Sequence, residues 1–190
     1  MYIARILYPV EVLGCGKRVG IWFDGCPHHC KGCSNPELWD IHKRYSVSLE
    51  NVMQLIGIIA EDNRIDGFTI TGGEPFFQPD ALDELTEKLS AFSGDILVYT
   101  GYELGELRDM NSESVEAVLS RISVLIDGKY IAEMNNNCTL RGSENQHIHI
   151  FSDKYRSAYE EYLRHENRIQ NFTAGNSVIS VGIHKKDFEF

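Results

Sequence analysis

Hydrophobic and polar positions along this chain follow two rhythms. Short apolar runs read as strands: "RVGIWF" (Arg18–Phe23), "GFTIT" (Gly67–Thr71), "DILVYT" (Asp95–Thr100), "RISVLID" (Arg121–Asp127) and "QHIHIF" (Gln146–Phe151). Between them the spacing turns helical. Ser48 is placed to cap a helix through "LENVMQLIGIIAED", with Val52, Leu55, Ile56 and Ile59 predicted on one face. Asp80 opens "ALDELTEKLSAF", where Leu82, Leu85 and Leu89 recur at helical spacing, and shorter helical pieces are predicted around Leu104–Arg108 and Val115–Leu119. Strands alternating with helices predict parallel βαβ units and an α/β fold.

The pattern changes after residue 151. "DKYRSAYEEYLRHENRI" (Asp153–Ile169) reads as a helix with Tyr155, Tyr159, Tyr162 and Leu163 on one side, and "NSVISVGIH" (Asn176–His184) alternates like a strand. We expect a core over 1–151 and a helix-plus-strand extension over 152–190 that packs on it without being an independent domain.

Composition narrows the partners. The chain has 190 residues and a formal charge of -10. An acidic surface repels phosphate backbones, so nucleic acid is not the expected partner. No apolar run is long enough to span a membrane, and "MYIARILYPVEV" lacks a signal-peptide layout. A cytoplasmic protein is expected. In that reducing setting cysteines serve as metal ligands, as catalytic groups or as buried thiols. There are five, with Cys26, Cys30 and Cys33 crowded together and Cys15 and Cys138 apart and expected to be unligated.

Loops at the strand ends carry the candidate chemistry. The cysteine loop follows the first of the strands, "GGEP" (Gly72–Pro75) the second, "TGY" (Thr100–Tyr102) the third and "DGK" (Asp127–Lys129) the fourth. In a parallel sheet or barrel, loops after the strands open at one face, which hosts the site. Gly72 and Gly73 allow close backbone approach, and Glu74 offers a carboxylate suited to an ammonium group. Thr100 and Asp127 are candidates to line the mouth, with capping of nearby backbone as the plainer reading. "RGSENQ" (Arg141–Gln146) reads as an anion contact or a turn.

The cysteine spacing C-x3-C-x2-C admits two readings. A closed zinc site needs four protein ligands, and only His28 or His29 is locally on hand, awkwardly wedged between the thiols. A [4Fe–4S] cluster on three thiolates leaves one iron open to a ligand. His28 and His29 are expected at the loop surface or behind the ligands.

Taken together, "GCPHHCKGCSNPELWD", "TGGEP", "YTGYELGEL", "VLIDGKY" and "RGSENQ" resemble the small radical S-adenosylmethionine (SAM) activases of glycyl-radical enzymes, from about Tyr8 to Phe151. The resemblance implies a single-domain open partial (βα) barrel. It implies a [4Fe–4S] cluster on Cys26, Cys30 and Cys33, and SAM bound through Gly72, Gly73 and Glu74 with Thr100 and Asp127 nearby. It implies a large glycyl-radical partner, foremost an anaerobic ribonucleotide reductase, and a low-potential donor such as flavodoxin. Gly32 and Ser34 stand where aromatics are common, Cys15 where a proline is usual, and residues 152–190 have no counterpart. Two other readings stand beside the activase: a radical SAM enzyme with a different peptide or small-molecule substrate, and a non-catalytic metal-binding module.

Overall fold

A computed structural model describes residues 1–175 and 177–185. Its framework is a six-stranded sheet in sequential order β1 to β6: β1 (Ile3–Val10), β2 (Arg18–Phe23), β3 (Gly67–Gly72), β4 (Ile96–Tyr99), β5 (Val124–Asp127) and β6 (His147–Ile150). Strands β2 to β5 are mutually parallel, and β1 and β6 run antiparallel at the two edges. The parallel strands are the first four of the five apolar runs named above, and the fifth forms the antiparallel β6. The edge strand β1 was not anticipated, because most of its residues are half-buried and show no clean alternation.

Four helices connect these strands: α1 (Leu49–Asp62), α2 (Pro79–Leu89), α3 (Leu104–Asp109) and α4 (Glu113–Arg121). Ser48 caps α1 as expected, its side chain accepting from the Asn51 backbone N–H. Val52 and Ile56 are buried, but Leu55 is exposed, so the buried stripe runs through Val52, Met53, Ile56 and Ile59. Leu82, Leu85 and Leu89 of α2 and Val115 and Val118 of α4 join that stripe.

Alternation along the strands divides the core. Val19, Ile21, Phe23, Phe68, Ile70, Ile96, Val98 and Leu125 face the helices in one cluster. Their neighbours Trp22, Leu97, Val124 and Ile126 point to the opposite face. With α1 to α4 on one side, much of the cover on that second face comes from the last segment of the chain.

That segment is α5 (Asp153–Tyr162), β7 (Ile169–Ala174) and β8 (Ser177–Gly182). Tyr159 of α5 is fully buried against Leu97, Val124 and Ile126, with Tyr155, Tyr162 and Leu163 beside it, as the tyrosine spacing predicts. The helix does not continue to Ile169, however. It ends at Tyr162, and residues 163–165 form a terminal turn. Asn167 then turns away to bond the Asn137 and Cys138 carbonyls, and Ile169 starts an antiparallel hairpin with β8. The expected strand lies at Ser177–Gly182, and its first expected residue, Asn176, falls outside the described residues. Phe172, Ile179 and Val181 of the hairpin share an apolar cluster with Trp22 and Leu38. No helix among the described residues is long and apolar enough to cross a membrane.

Candidate active site at the strand ends

The cysteine loop leaves β2 at Phe23 and is fixed at its root. Buried Asp24 accepts from the His42 backbone N–H at 2.6 Å, and the backbone N–H groups of Gly25 and Cys26 donate to the carbonyls of Leu38 and Trp39. Gly25 and Gly32 have φ of 93° and 77°, in the left-handed region that glycine enters without penalty. Gly32 lies close to Tyr130 and Ala132, so the small residue in place of an aromatic leaves room for the 130–135 loop.

Cys26, Cys30 and Cys33 are all partly exposed and line one cavity of about 200 Å³. Burial pushes the Cys26 and Cys33 thiols above their usual range. The backbone N–H groups of His28 and His29, toward Cys26, and of Asn35, toward Cys33, act in the opposite direction and favour the thiolates. Thiolates are the metal-binding form. Among the described residues no three His, Cys, Asp or Glu side chains gather closely enough to share one metal ion. All three thiols open onto the one cavity, and a [4Fe–4S] cluster held by three thiolates leaves one iron open to a further ligand.

The same cavity is lined by Gly72, Gly73, Glu74, Thr100 and Gly101. Backbone bonds from Gly73 N–H to the Phe23 carbonyl and from Glu74 N–H to the Gly25 carbonyl knit the Gly-Gly-Glu turn to the cysteine loop. A Cβ at Gly73 would collide with the Gly25 carbonyl, so only glycine permits this approach. Glu74 is 1% exposed. Its carboxylate accepts from the Phe76 N–H at 2.9 Å, the Thr100 hydroxyl at 2.9 Å and the Gly101 N–H at 2.7 Å, and lies 3.1 Å from His28 Nε2. Four partners hold one buried charge, which is how a buried carboxylate remains tolerable.

His28 lines the cavity beside the thiols, and His29 is exposed at the loop surface. His28 packs edge-on against Tyr102 while reaching Glu74, and His29 stacks on Trp39 at 4.9 Å. Asp127 is placed differently from Thr100. Its carboxylate accepts from the Leu104 N–H at 2.8 Å, at the start of α3, and meets His149 Nε2 at 2.9 Å. It stands at the strand end but not in the cavity wall, where its neighbour Gly128 does the lining. Arg141 Nη1 donates to the Glu144 and Gln146 carbonyls and "RGSENQ" forms a turn, although the buried Arg141 Nε and Asn145 Oδ1 have no hydrogen-bond partner among the described residues; Gly142 and Gln146 face the cavity.

Several lining residues had no signal in the sequence: Trp22, Tyr99, Asn135 and, above all, 180–184 from the β8 end. Each reaches the cavity through long-range packing that no local spacing encodes.

Comparison with known proteins fits this geometry. The family described as a 4Fe-4S single cluster domain matches residues 12–149. An anaerobic ribonucleoside-triphosphate reductase-activating protein of Vibrio cholerae is 35% identical over 153 residues, covering 76% of this chain and 96% of that protein. Its namesake in Haemophilus influenzae is 38% identical over 155 residues, covering 76% and 95%. The namesake in Enterobacteria phage T4 is 30% identical over 148 residues, covering 75% and 90%. Three thiols around one cavity, a buried carboxylate beside them and these similarities lead to one conclusion: the chain belongs to the family of anaerobic ribonucleoside-triphosphate reductase-activating proteins, built on a 4Fe-4S single cluster domain.

Proposed function

We propose that this chain is a radical SAM activase that places a glycyl radical on an anaerobic ribonucleoside-triphosphate reductase. The observation that carries the reading is the convergence of Cys26, Cys30 and Cys33 with the Gly72–Glu74 turn on one cavity at the ends of parallel strands. When bound there, a reduced [4Fe–4S] cluster supplies one electron to SAM, whose C–S bond breaks to give methionine and a 5′-deoxyadenosyl radical that takes a hydrogen atom from a glycine Cα of the partner, leaving 5′-deoxyadenosine.

The chain's own residues hold and shield this chemistry. Cys26, Cys30 and Cys33 are the cluster ligands, and with no fourth cysteine in the loop one iron is left for SAM. Gly72 and Gly73 admit the SAM amino group close to the backbone, and Glu74 supplies the opposing charge. Thr100 acts through its hydroxyl on Glu74. Asp127 acts through the loop it anchors, whose Gly128 lines the cavity. Of Glu74's four partners, His28 alone comes from the cysteine loop, so it couples the two halves of the site.

The architecture we assign is an open partial (βα) barrel, which the sequential order of the parallel strands and the packing of α1 to α4 on one face of the sheet support. Residues 1–151 are the radical SAM core, and 152–190 are an extension packed on it. The reductant is assigned as a low-potential flavodoxin-type donor, and the compartment as the cytoplasm, where five unpaired cysteines persist.

Anaerobic reconstitution with iron and sulfide, followed by dithionite and SAM, tests the reading. It predicts 5′-deoxyadenosine and methionine in equal amounts. Intact, iron-loaded protein that leaves SAM uncut would remove the radical chemistry, and zinc without iron in the isolated protein would point to a structural metal.

A further inference from the structure

The β7–β8 hairpin is tied to the β1 edge of the sheet and to the loop between β5 and β6. On the β1 side, Gln170 accepts from the Glu11 N–H at 3.0 Å and donates to the Pro9 carbonyl at 2.8 Å, and Arg168 donates to the Glu11 carbonyl at 3.1 Å. On the other side, the Asn135 side chain donates to the His184 carbonyl at 3.1 Å. β7 thus borders β1, while among the described residues β8 pairs on one side only, with β7. Residues 180–184 then line the same cavity as the three cysteines and Glu74. Ser180 and His184 contribute a hydroxyl and an imidazole, 3.0 Å apart.

This wall lies outside what the family shares. The family match ends at residue 149, and the V. cholerae and H. influenzae proteins are matched over 95–96% of their length by 76% of this chain. Residues that cut SAM in common with those relatives therefore precede the hairpin. Residues before the hairpin already supply the thiols and the Gly-Gly-Glu turn, so a wall added to the same cavity is placed to meet the other reactant, the radical acceptor. The acceptor must come within contact distance of the reacting carbon, and so must enter this cavity. A strand with one unpaired edge offers alternating N–H and C=O groups, the complement of an extended peptide.

We propose that β8, with Ser180 and His184, is a specificity-determining wall that binds the glycine-bearing segment of the reductase as an extended peptide. The proposal rests on the activase reading above. It also gives the hairpin's position a role: residues 180–184 border the cavity that the acceptor segment must enter.

The test uses the full apo-chain and a fluorescent peptide spanning the glycine-bearing segment of the same organism's reductase. Binding is followed by anisotropy, and amide hydrogen exchange of β8 is measured with and without peptide. The double variant Ser180→Ala, His184→Ala is expected to weaken binding about tenfold, the loss of one to two hydrogen bonds. His184→Gln, which keeps a polar partner for Ser180, is expected to recover most of it. Asn171→Ser, exposed on β7 and outside the proposed wall, is expected to bind as the parent does. Peptide-induced protection of β8 in the parent protein supports the wall even if the double variant folds poorly. Unchanged binding in the double variant, or no protection of β8 in the parent, overturns it. Parent protein that makes 5′-deoxyadenosine but neither binds the peptide nor protects β8 overturns the wall and leaves the SAM chemistry standing. Iron-loaded parent that makes none overturns the activase reading as well.

Discussion

Glu74 shows how closely single residues are set at this site. Its charge is held by Phe76, Thr100, Gly101 and His28, and Gly101 can sit there only because it lacks a side chain. A Cβ on Gly101 would run into the His28 ring. Gly101→Ala is therefore expected to displace His28 from Glu74, with a destabilisation of about 1–3 kcal/mol for an overpacked contact. SAM affinity should fall more than global stability does, checked by SAM binding beside a thermal melt. Cys30→Ala is expected to remove the cluster absorbance and all SAM cleavage while the apo-protein melts near the parent temperature. The thiol is partly exposed and stands in the cavity rather than in the apolar core. The ligand cysteines and the Gly-Gly-Glu turn were legible in the sequence because their spacing is local. The exchange among His28, Glu74 and Gly101 was not, since it joins three loops that only the folded sheet brings together.

At the scale of elements, one buried group ties the last helix to the sheet. Arg18 of β2 is fully buried and donates to the Asp95 carboxylate at 2.6 Å, the Thr69 hydroxyl at 2.7 Å and the Phe68 carbonyl at 2.6 Å. Asp95 in turn accepts from Ser123 at 2.7 Å and from Tyr159 of α5 at 2.9 Å. Arg18→Met leaves Asp95 buried without its cation and is expected to cost about 3–5 kcal/mol. Tyr159→Phe removes one hydrogen bond to a charged group and is expected to cost about 1.5–3 kcal/mol. Both are read from denaturant midpoints. Cys15 lies beside this network, and burial raises its thiol from 9.0 to about 11. The unfolded chain releases that proton before the folded one does. The contribution of Cys15 to stability is therefore full below pH 9 and declines as pH rises toward about 11. Cys15→Ala should flatten the stability profile in that window relative to the parent. Tyr159 was visible as part of a tyrosine stripe, but its hydroxyl partner, 64 residues earlier, was not. Similarly, α5 stops short because Asn167 finds partners in the 137–138 loop, a tertiary contact that overrides the helical run of residues.

At the scale of the whole molecule, the parallel centre of the sheet was legible because buried parallel strands appear as uninterrupted apolar runs. The half-buried edge strand β1 lacks that signature. The face of the sheet opposite α1 to α4 is packed against α5 and the hairpin, whose described residues share apolar clusters with residues of the family domain before them. A chain ending at residue 151 would expose Leu97, Val124 and Ile126, and it is expected to aggregate or to lose its cooperative melt. The three thiols and the Gly-Gly-Glu turn share one cavity at the strand ends. The most direct test of this account is electron paramagnetic resonance of the same organism's anaerobic reductase after incubation, without oxygen, with the iron-loaded chain, SAM and dithionite. The account predicts a glycyl-radical doublet on the reductase that is absent when Cys30→Ala replaces the parent. No doublet from a chain that carries its cluster and cuts SAM would contradict it.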